Sequence, residues 1–416
     1  MKKRFLAAVL AGAMALSVTA CAAKPKETEA PTEAKTEAAE TEKAEVVDSE
    51  KETTKAANSE YKIAMITDSG DITDQSFNQT TYEACQAFSE ANGVEFKYYK
   101  PDGDTDEARS ASVDQAVADG HNIVVMPGYL FAQAIIDGSE MYPDVKFIAL
   151  DVAAADLLGK AVPDYSGNPD DYDVTEYYNA DNVYIAVYQE ELSGYMAGYA
   201  AVKLGYKKLG FLGGMSVPAV MRFGYGYVQG ADAAAKELGI TDEVSIEYVY
   251  GNQFYGDADI TAYMDTWYST NGVEVVFACG GGIYTSAAEA AAKVGGKVIG
   301  VDSDQSPIID EYGEGMTLTS AMKGLAPTVN TLLTEIVLND NWDAYKGQIQ
   351  NLGLVSENPE ENYVQLAATT QWGDGFTEDD YKALVSAMHA GEVTVSNDIS
   401  AMPATEITVN EYGNIK

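Results

Sequence analysis

A chain of 416 residues can hold two or three domains with sizeable cores, so a miniprotein is excluded. Its 65 Asp+Glu against 26 Lys+Arg give a formal charge of −39, which argues against any polyanion-binding surface and so against a nucleic-acid partner. The three cysteines (Cys21, Cys85, Cys279) make neither a disulfide framework nor a C-x-x-C zinc pair, and His121 and His389 leave little material for Ser/His or Cys/His catalysis.

Residues 1–20 read as a signal peptide. Lys2, Lys3 and Arg4 precede an apolar stretch from Phe5 to Ala20, shorter than the roughly 20 residues of a comfortable membrane span. The stretch ends Val18-Thr19-Ala20-Cys21, the pattern of a bacterial lipobox in which the cysteine sulfur receives a lipid; an ordinary signal peptide ending near a cysteine is the alternative. Residues 21–60 have almost no large apolar side chains, so they cannot offset the entropy of ordering and are expected to form a solvated tether. The leader carries +3 and the tether −5, which leaves −37 on residues 61–416: the acidity belongs to the folded body. The acyl chains would be the membrane attachment, on the extracytoplasmic face.

From residue 62 the pattern is βα, written twice. KIAMIT (62–67) is a buried-strand run, followed by a helix that Asp74 or Ser76 can cap and Gly93 can stop. Strand 94–100, a helix, strand 122–128, a helix and strand 145–152 follow, then an irregular Gly/Pro/Asp-rich insertion at 153–183 that leads to the crossing between domains. The second half restarts with YIAVYQEELSGYMAGYAAVKLG as a helix and repeats the alternation through strands 208–214, 244–251, 273–282 and 297–304. The expected division is an N-terminal lobe at 61–182, rejoined at about 324–345, and a C-terminal lobe at 183–323 with about 346–416. The hinge falls near 183 and 320. Two open parallel sheets in tandem place a crevice between them, and ligands bind there beyond the carboxyl ends of the strands.

Polar and aromatic residues just past the strand ends are therefore the site candidates. In the first half they are Asp68, Phe77, Asn78, Gly128, Tyr129 and Asp151; in the second, Asn252, Phe254, Gly280 to Gly282, Asp302 and Asp304. Carboxylates suit a ligand rich in hydroxyl or amino donors, and a Phe from each lobe could sandwich a flat ring. Lys323 lies where the chain crosses back, and could orient Asp302 and donate to a hydroxyl. Each also has a plainer structural reading, as a helix cap, a tight turn or interface packing. Gly280-Gly281-Gly282 does not complete G-x-G-x-x-G and no phosphate-loop motif exists, so no cofactor is expected.

The segments IAMITDSGDITDQSFNQTTYEA, MPGYLFAQAI, VVFACGGG, VIGVDSDQ and TLTSAMKG, in this order, resemble the basic membrane protein family, substrate-binding lipoproteins of ABC importers of the purine nucleoside receptor type. The resemblance runs from about residue 61 to the C-terminus. It implies a type I periplasmic-binding-protein fold, two Rossmann-like lobes joined by a multi-strand hinge and closing on the ligand. It implies no enzymatic activity, and as partners a nucleoside and the permease and ATPase subunits of an importer. By motif it puts one stacking ring at Phe77 and the other at Phe254, with Phe223 as fallback. It makes Asp68 and Asn78 first-lobe polar contacts and Asp151 a base-reading carboxylate. Asp302 and Lys323 become the grip on ribose hydroxyls, with Gly280 admitting close backbone approach. Cys279, the triple glycine and the long 153–183 segment depart from the family pattern. A sugar or autoinducer-like ligand, and a nucleoside-processing enzyme, are the competing readings.

Overall fold

In the computed structural model of the protein residues 60–415 are described. The leader, Cys21 and residues 21–59 lie outside them. In chain order the elements are β1 (Lys62–Ile66), α1 (Phe77–Asn92), β2 (Glu95–Tyr99), α2 (Asp106–Ala118), β3 (Ile123–Pro127), α3 (Ala132–Met141), β4 (Lys146–Leu150), α4 (Ala154–Ala161) and β5 (Val183–Tyr188). Then come α5 (Glu190–Lys203), β6 (Lys208–Gly213), α6 (Pro218–Leu238), β7 (Ser245–Tyr250), α7 (Ala258–Thr266), β8 (Val275–Cys279), α8 (Tyr284–Ala292), β9 (Lys297–Asp302), α9 (Ser306–Ile309) and β10 (Thr317–Lys323). The chain ends with α10 (Leu325–Leu333), β11 (Ile349–Leu352), β12 (Val364–Leu366), α11 (Glu378–His389) and β13 (Thr408–Asn414). No helix among the described residues is long and apolar enough to cross a membrane.

The strands make two sheets, ordered β2-β1-β3-β4-β5-β11 and β13-β7-β6-β8-β9-β10-β12. Every pairing is parallel except β10 with β12. Each lobe thus contains the order 2-1-3-4-5, so β6 to β10 repeat β1 to β5 as the sequence pattern predicts. Strands such as IVVMP (β3) and VVFAC (β8) are buried along their whole length, because helices cover both faces of each sheet. The cores accordingly lie as separate apolar clusters on the two faces of the two sheets.

Three expectations are corrected. Residues 183–188 are not the start of a helix: VYIAVY is β5, paired with β4 and β11, and the chain first leaves the first sheet after Tyr188. An apolar run of six residues fits a buried strand as well as a buried helix, and periodicity cannot separate them. Residues 349–352, placed with the second lobe, form edge strand β11 of the first sheet; their IQNL sequence has no apolar signature. The 153–183 segment is not a passage to the second lobe. It opens with α4, buries Leu157, Leu158 and Tyr178, and returns to β5 in the same sheet. The chain therefore crosses between lobes at Tyr188–Glu190, at Lys323–Leu325 and between β11 and β12. After the second crossing α10 packs on α1, with Leu325, Val329 and Leu332 in the core that holds Ile63 and Phe88.

Helices α5 and α6 meet on glycines. A Cβ at Gly194 would sit 2.2 Å from the Phe223 carbonyl oxygen, and one at Gly226 2.1 Å from that of Glu191. Only a bare Cα permits this approach, and it sets the first turn of α5, just past the first crossing, against the first turns of α6.

Candidate ligand-binding site

One cavity between the lobes is lined by all eight residues singled out as ligand contacts: Asp68, Phe77, Asn78, Asp151, Phe254, Gly280, Asp302 and Lys323. Gly128, Tyr129 and the fallback ring Phe223 line it too, whereas Asn252 and Asp304 do not. Asp304 instead caps Ser306 N–H and accepts from Thr369 Oγ1. Cys21 lies outside the described residues. The wall also contains residues that the strand-end rule did not select, among them Asp74, Asp156, Arg222 and the Val217–Ala219 turn ahead of α6.

The first-lobe wall is built by the turn between β1 and α1. Asp74 holds the start of α1: its carboxylate accepts from the N–H groups of Ser76, Asn78 and Gln79. Of the two expected caps Asp74 does the capping, and Ser76 is free to reach across the cleft. Asn78 donates through Nδ2 to Asp68 Oδ1 at 2.9 Å and to Asp74 Oδ2 at 2.8 Å, while its Oδ1 accepts from Asp68 N–H. Its amide is thus committed to fixing the two carboxylates. Asp68 Oδ1 also accepts from Gly70 N–H, which leaves Oδ2 facing the glycine backbone of Gly128 and the cavity. Burial pushes the carboxyls of both Asp68 and Asp74 above their ordinary range.

The hinge end is a buried charge cluster. Lys323, at the end of β10, pairs most closely with Asp151 Oδ2, lies 3.3 Å from Glu190 Oε1 and 3.7 Å from Asp302 Oδ1. It was expected to orient Asp302; its tightest partner is Asp151. Asp151 and Asp302 occupy equivalent positions in the repeat, at the end of the fourth strand of each lobe. Both have left-handed backbone, at φ 61° and 64°, a conformation that short polar side chains tolerate. Lys323 therefore bridges one lobe to the other through pseudo-equivalent carboxylates. Arg222 Nε donates to Glu190 Oε2 at 2.5 Å, and the side chain of Glu190 is wholly buried. The rings of Phe77, Phe223 and Tyr188 surround the Lys323 ammonium, with centroids 4.9, 5.4 and 5.8 Å away.

The protonation pattern follows from burial against charge. Burial pushes Asp151 upward, and Glu190 adds to this while Lys323 opposes it. Burial acts on Glu190 in the same direction, but Arg222 and Lys323 outweigh it and hold that carboxyl below its usual range. Burial would lower the Lys323 pKa; Asp151, Glu190 and Asp302 together raise it well above that of a free lysine, so the ammonium stays charged. Asp151 Oδ1 is buried without a hydrogen-bond partner.

The lobes are closed on one another. Ser76 Oγ donates to Asp302 Oδ2 at 2.6 Å, and the Gln75 carbonyl accepts from Gln305 Nε2 at 3.0 Å. In the second lobe Phe254 packs against Gly214 and Gly280, where a Cβ would meet its ring at 2.4 and 2.8 Å; the two glycines let the ring approach the cavity floor. Cys85 and Cys279 are free and buried in different lobes.

The missed residues were hard to read. Glu190 follows an apolar run that in sequence looks like continuous helix with α5, and Arg222 precedes Phe223 with no strand end to flag it. The arrangement is a closed, acid-rich cleft with one buried cation and aromatic faces from both lobes, which suits a flat ligand bearing hydroxyl or amino donors.

Comparison with known proteins agrees with this geometry. The family model described as "ABC transporter substrate-binding protein PnrA-like" matches residues 61–366. Basic membrane protein B of Borreliella afzelii is 27% identical over 305 residues, covering 72% of this chain and 80% of that protein. The ABC transporter nucleoside-binding protein BmpA of Lactococcus lactis is 26% identical over 259 residues, covering 59% of this chain and 65% of that protein. Among solved structures, an ABC transporter solute-binding protein from Conexibacter woesei shares the fold, with a TM-score of 0.58 and 23% identity over 81% of this chain and 99% of that one. The two-lobed α/β architecture, the cleft and the sequence match together establish that the chain belongs to the Bmp family of PnrA-like ABC transporter substrate-binding proteins.

Proposed function

We propose that this substrate-binding protein captures a purine nucleoside between its lobes and delivers it to the permease and ATPase subunits of an importer. It would be held at the extracytoplasmic face of the cell membrane by lipid on Cys21. The observation that carries the ligand assignment is the convergence of Phe77, Phe223 and Phe254 with the Lys323–Asp302–Asp151 cluster on one cavity. Aromatic faces suit a base. The charge cluster suits vicinal hydroxyls, because Asp302 can accept while Lys323 donates; Asp151, whose Oδ1 has no hydrogen-bond partner, stays the candidate base-reading carboxylate. A nucleoside-binding relative in Lactococcus lactis supports the same reading. Affinity would come from stacking and burial. Selection for ribose would come from the cost of leaving buried polar groups unpaired when a hydroxyl is missing. Opening would need motion at Tyr188–Glu190, at Lys323–Leu325 and between β11 and β12, and a ligand that contacts both lobes would draw the open ensemble toward the closed one.

Mass spectrometry of small molecules released from the denatured protein tests the assignment, with a nucleoside expected. Calorimetry tests the grip: Asp302→Ala should abolish nucleoside binding while the thermal transition changes little. Unchanged affinity would remove Asp302 from the site. A nucleoside incubated with the protein overnight should be recovered intact, and a released base would point to the enzyme reading instead.

A further inference from the structure

We propose that Asp156, carried by the long connection between β4 and β5, reads the ligand by accepting an N–H from an exocyclic amine of the purine. This rests on the nucleoside reading and assigns its base edge. The repeat itself marks the connection as unusual. Between β4 and β5 the chain runs through residues 151–182, whereas the equivalent connection between β9 and β10 takes only 303–316. The extra length builds α4, whose Leu157 and Leu158 are buried in the first lobe, so the helix is anchored rigidly at the cavity wall. Asp156 sits in its first turn. Oδ2 accepts from Ala153 N–H at 2.8 Å, which fixes the carboxylate, and Oδ1 has no hydrogen bond while the residue lines the cavity.

Its surroundings say what it can bind. Asp68 and Asp156, with Tyr129, line the same cavity. The Lys323 ammonium makes no ion pair with either; it pairs with Asp151, Glu190 and Asp302. Both Asn78 amide protons are already committed to Asp68 and Asp74. Asp68 and Asp156 thus offer two carboxylates to a ligand, beside the Tyr129 hydroxyl and Arg222, whose charge opposes the upward shift of Asp156. A ligand edge made only of acceptors would leave these half-buried carboxylates unpaired once the cleft closes, while an amine satisfies one. Burial raises the Asp156 carboxyl to about 6, so at neutral pH it remains a carboxylate and an acceptor.

Asp156→Asn is the test. The amide keeps a carbonyl oxygen for Ala153 N–H and replaces the free acceptor with a donor. Calorimetry compares two pairs on wild type and variant: guanosine against inosine, and adenosine against purine riboside. A hydrogen bond to a charged group corresponds to about 10- to 100-fold in affinity, so the amino/non-amino ratio should fall by about 10-fold or more in at least one pair. Both ratios unchanged within about threefold would overturn the proposal. If the wild type binds no nucleoside, the ligand assignment fails instead, and the two failures are distinguishable. Should the variant not fold, Asp156→Ser, whose hydroxyl can accept from Ala153 N–H, is measured in the same way.

Discussion

Lys323→Met isolates the buried charge cluster from the rest of the cleft. The substitution keeps the bulk of the side chain but removes the cation from among Asp151, Glu190 and Asp302. The three carboxylates are at most 8% exposed, and only Arg222, already on Glu190, remains to compensate them. Breaking one side of a buried ion pair typically costs about 3 to 5 kcal/mol, because the remaining charge is uncompensated. The size must depend on pH. In the wild type the Lys323 pKa is raised on folding, so its contribution is fully present below the unfolded lysine value and is intact at both pH 5.5 and pH 8. In the variant Asp151 loses the cation that opposed its upward shift, so its folded pKa rises further above the unfolded one. A carboxyl raised on folding binds more protons in the native state, so stability falls as pH rises through the interval between the unfolded and folded values. Burial already raises Asp151 to about 7 in the wild type, so the two proteins take up its proton alike below that pH, and the loss at pH 8, about 3 to 5 kcal/mol, exceeds the loss at pH 5.5 by up to about 1.4 kcal/mol. Urea unfolding at both pH values, with unchanged m, measures the difference. Equal losses at the two pH values, or recovery absent in Lys323→Met/Asp151→Asn, would refute the assignment of Lys323 as the counter-ion of Asp151.

Two other substitutions probe different parts of the molecule. Phe77→Ala should weaken purine nucleosides far more than free ribose in calorimetry, by about 10-fold or more, given about 1 to 3 kcal/mol per stacked base; an equal effect on both ligands would rule out stacking. Glu191, in the first turn of α5, is buried with one oxygen unpartnered, and burial raises its carboxyl to about 7. Because that pKa is raised on folding, the residue reduces stability progressively from about pH 4.5 to pH 7. Glu191→Gln should therefore stabilise by up to about 3 kcal/mol at pH 8 and by much less at pH 5, and a gain independent of pH in urea titrations would contradict the burial account.

Sequence alone determined the repeat and the positions that line the cleft. In a parallel sheet covered on both faces the strands must be short apolar runs, and the residues after them must be the turn and cleft residues. Asp68, Asp151 and Asp302 could thus be picked without coordinates. Tertiary structure alone decided which carboxylate holds Lys323, because Asp151 and Asp302 come from different lobes and their distances to one ammonium depend on how the lobes close. It also decided that β5 and β11 belong to the first sheet. A uniformly apolar strand looks like a buried helix, and a polar edge strand looks like a loop, until a neighbouring strand supplies the hydrogen bonds. Glu190, Arg222 and Asp156 became visible for the same reason. Each gains its place through long-range packing, of α5 on α6 or of α4 on the first lobe, and no local pattern encodes those contacts.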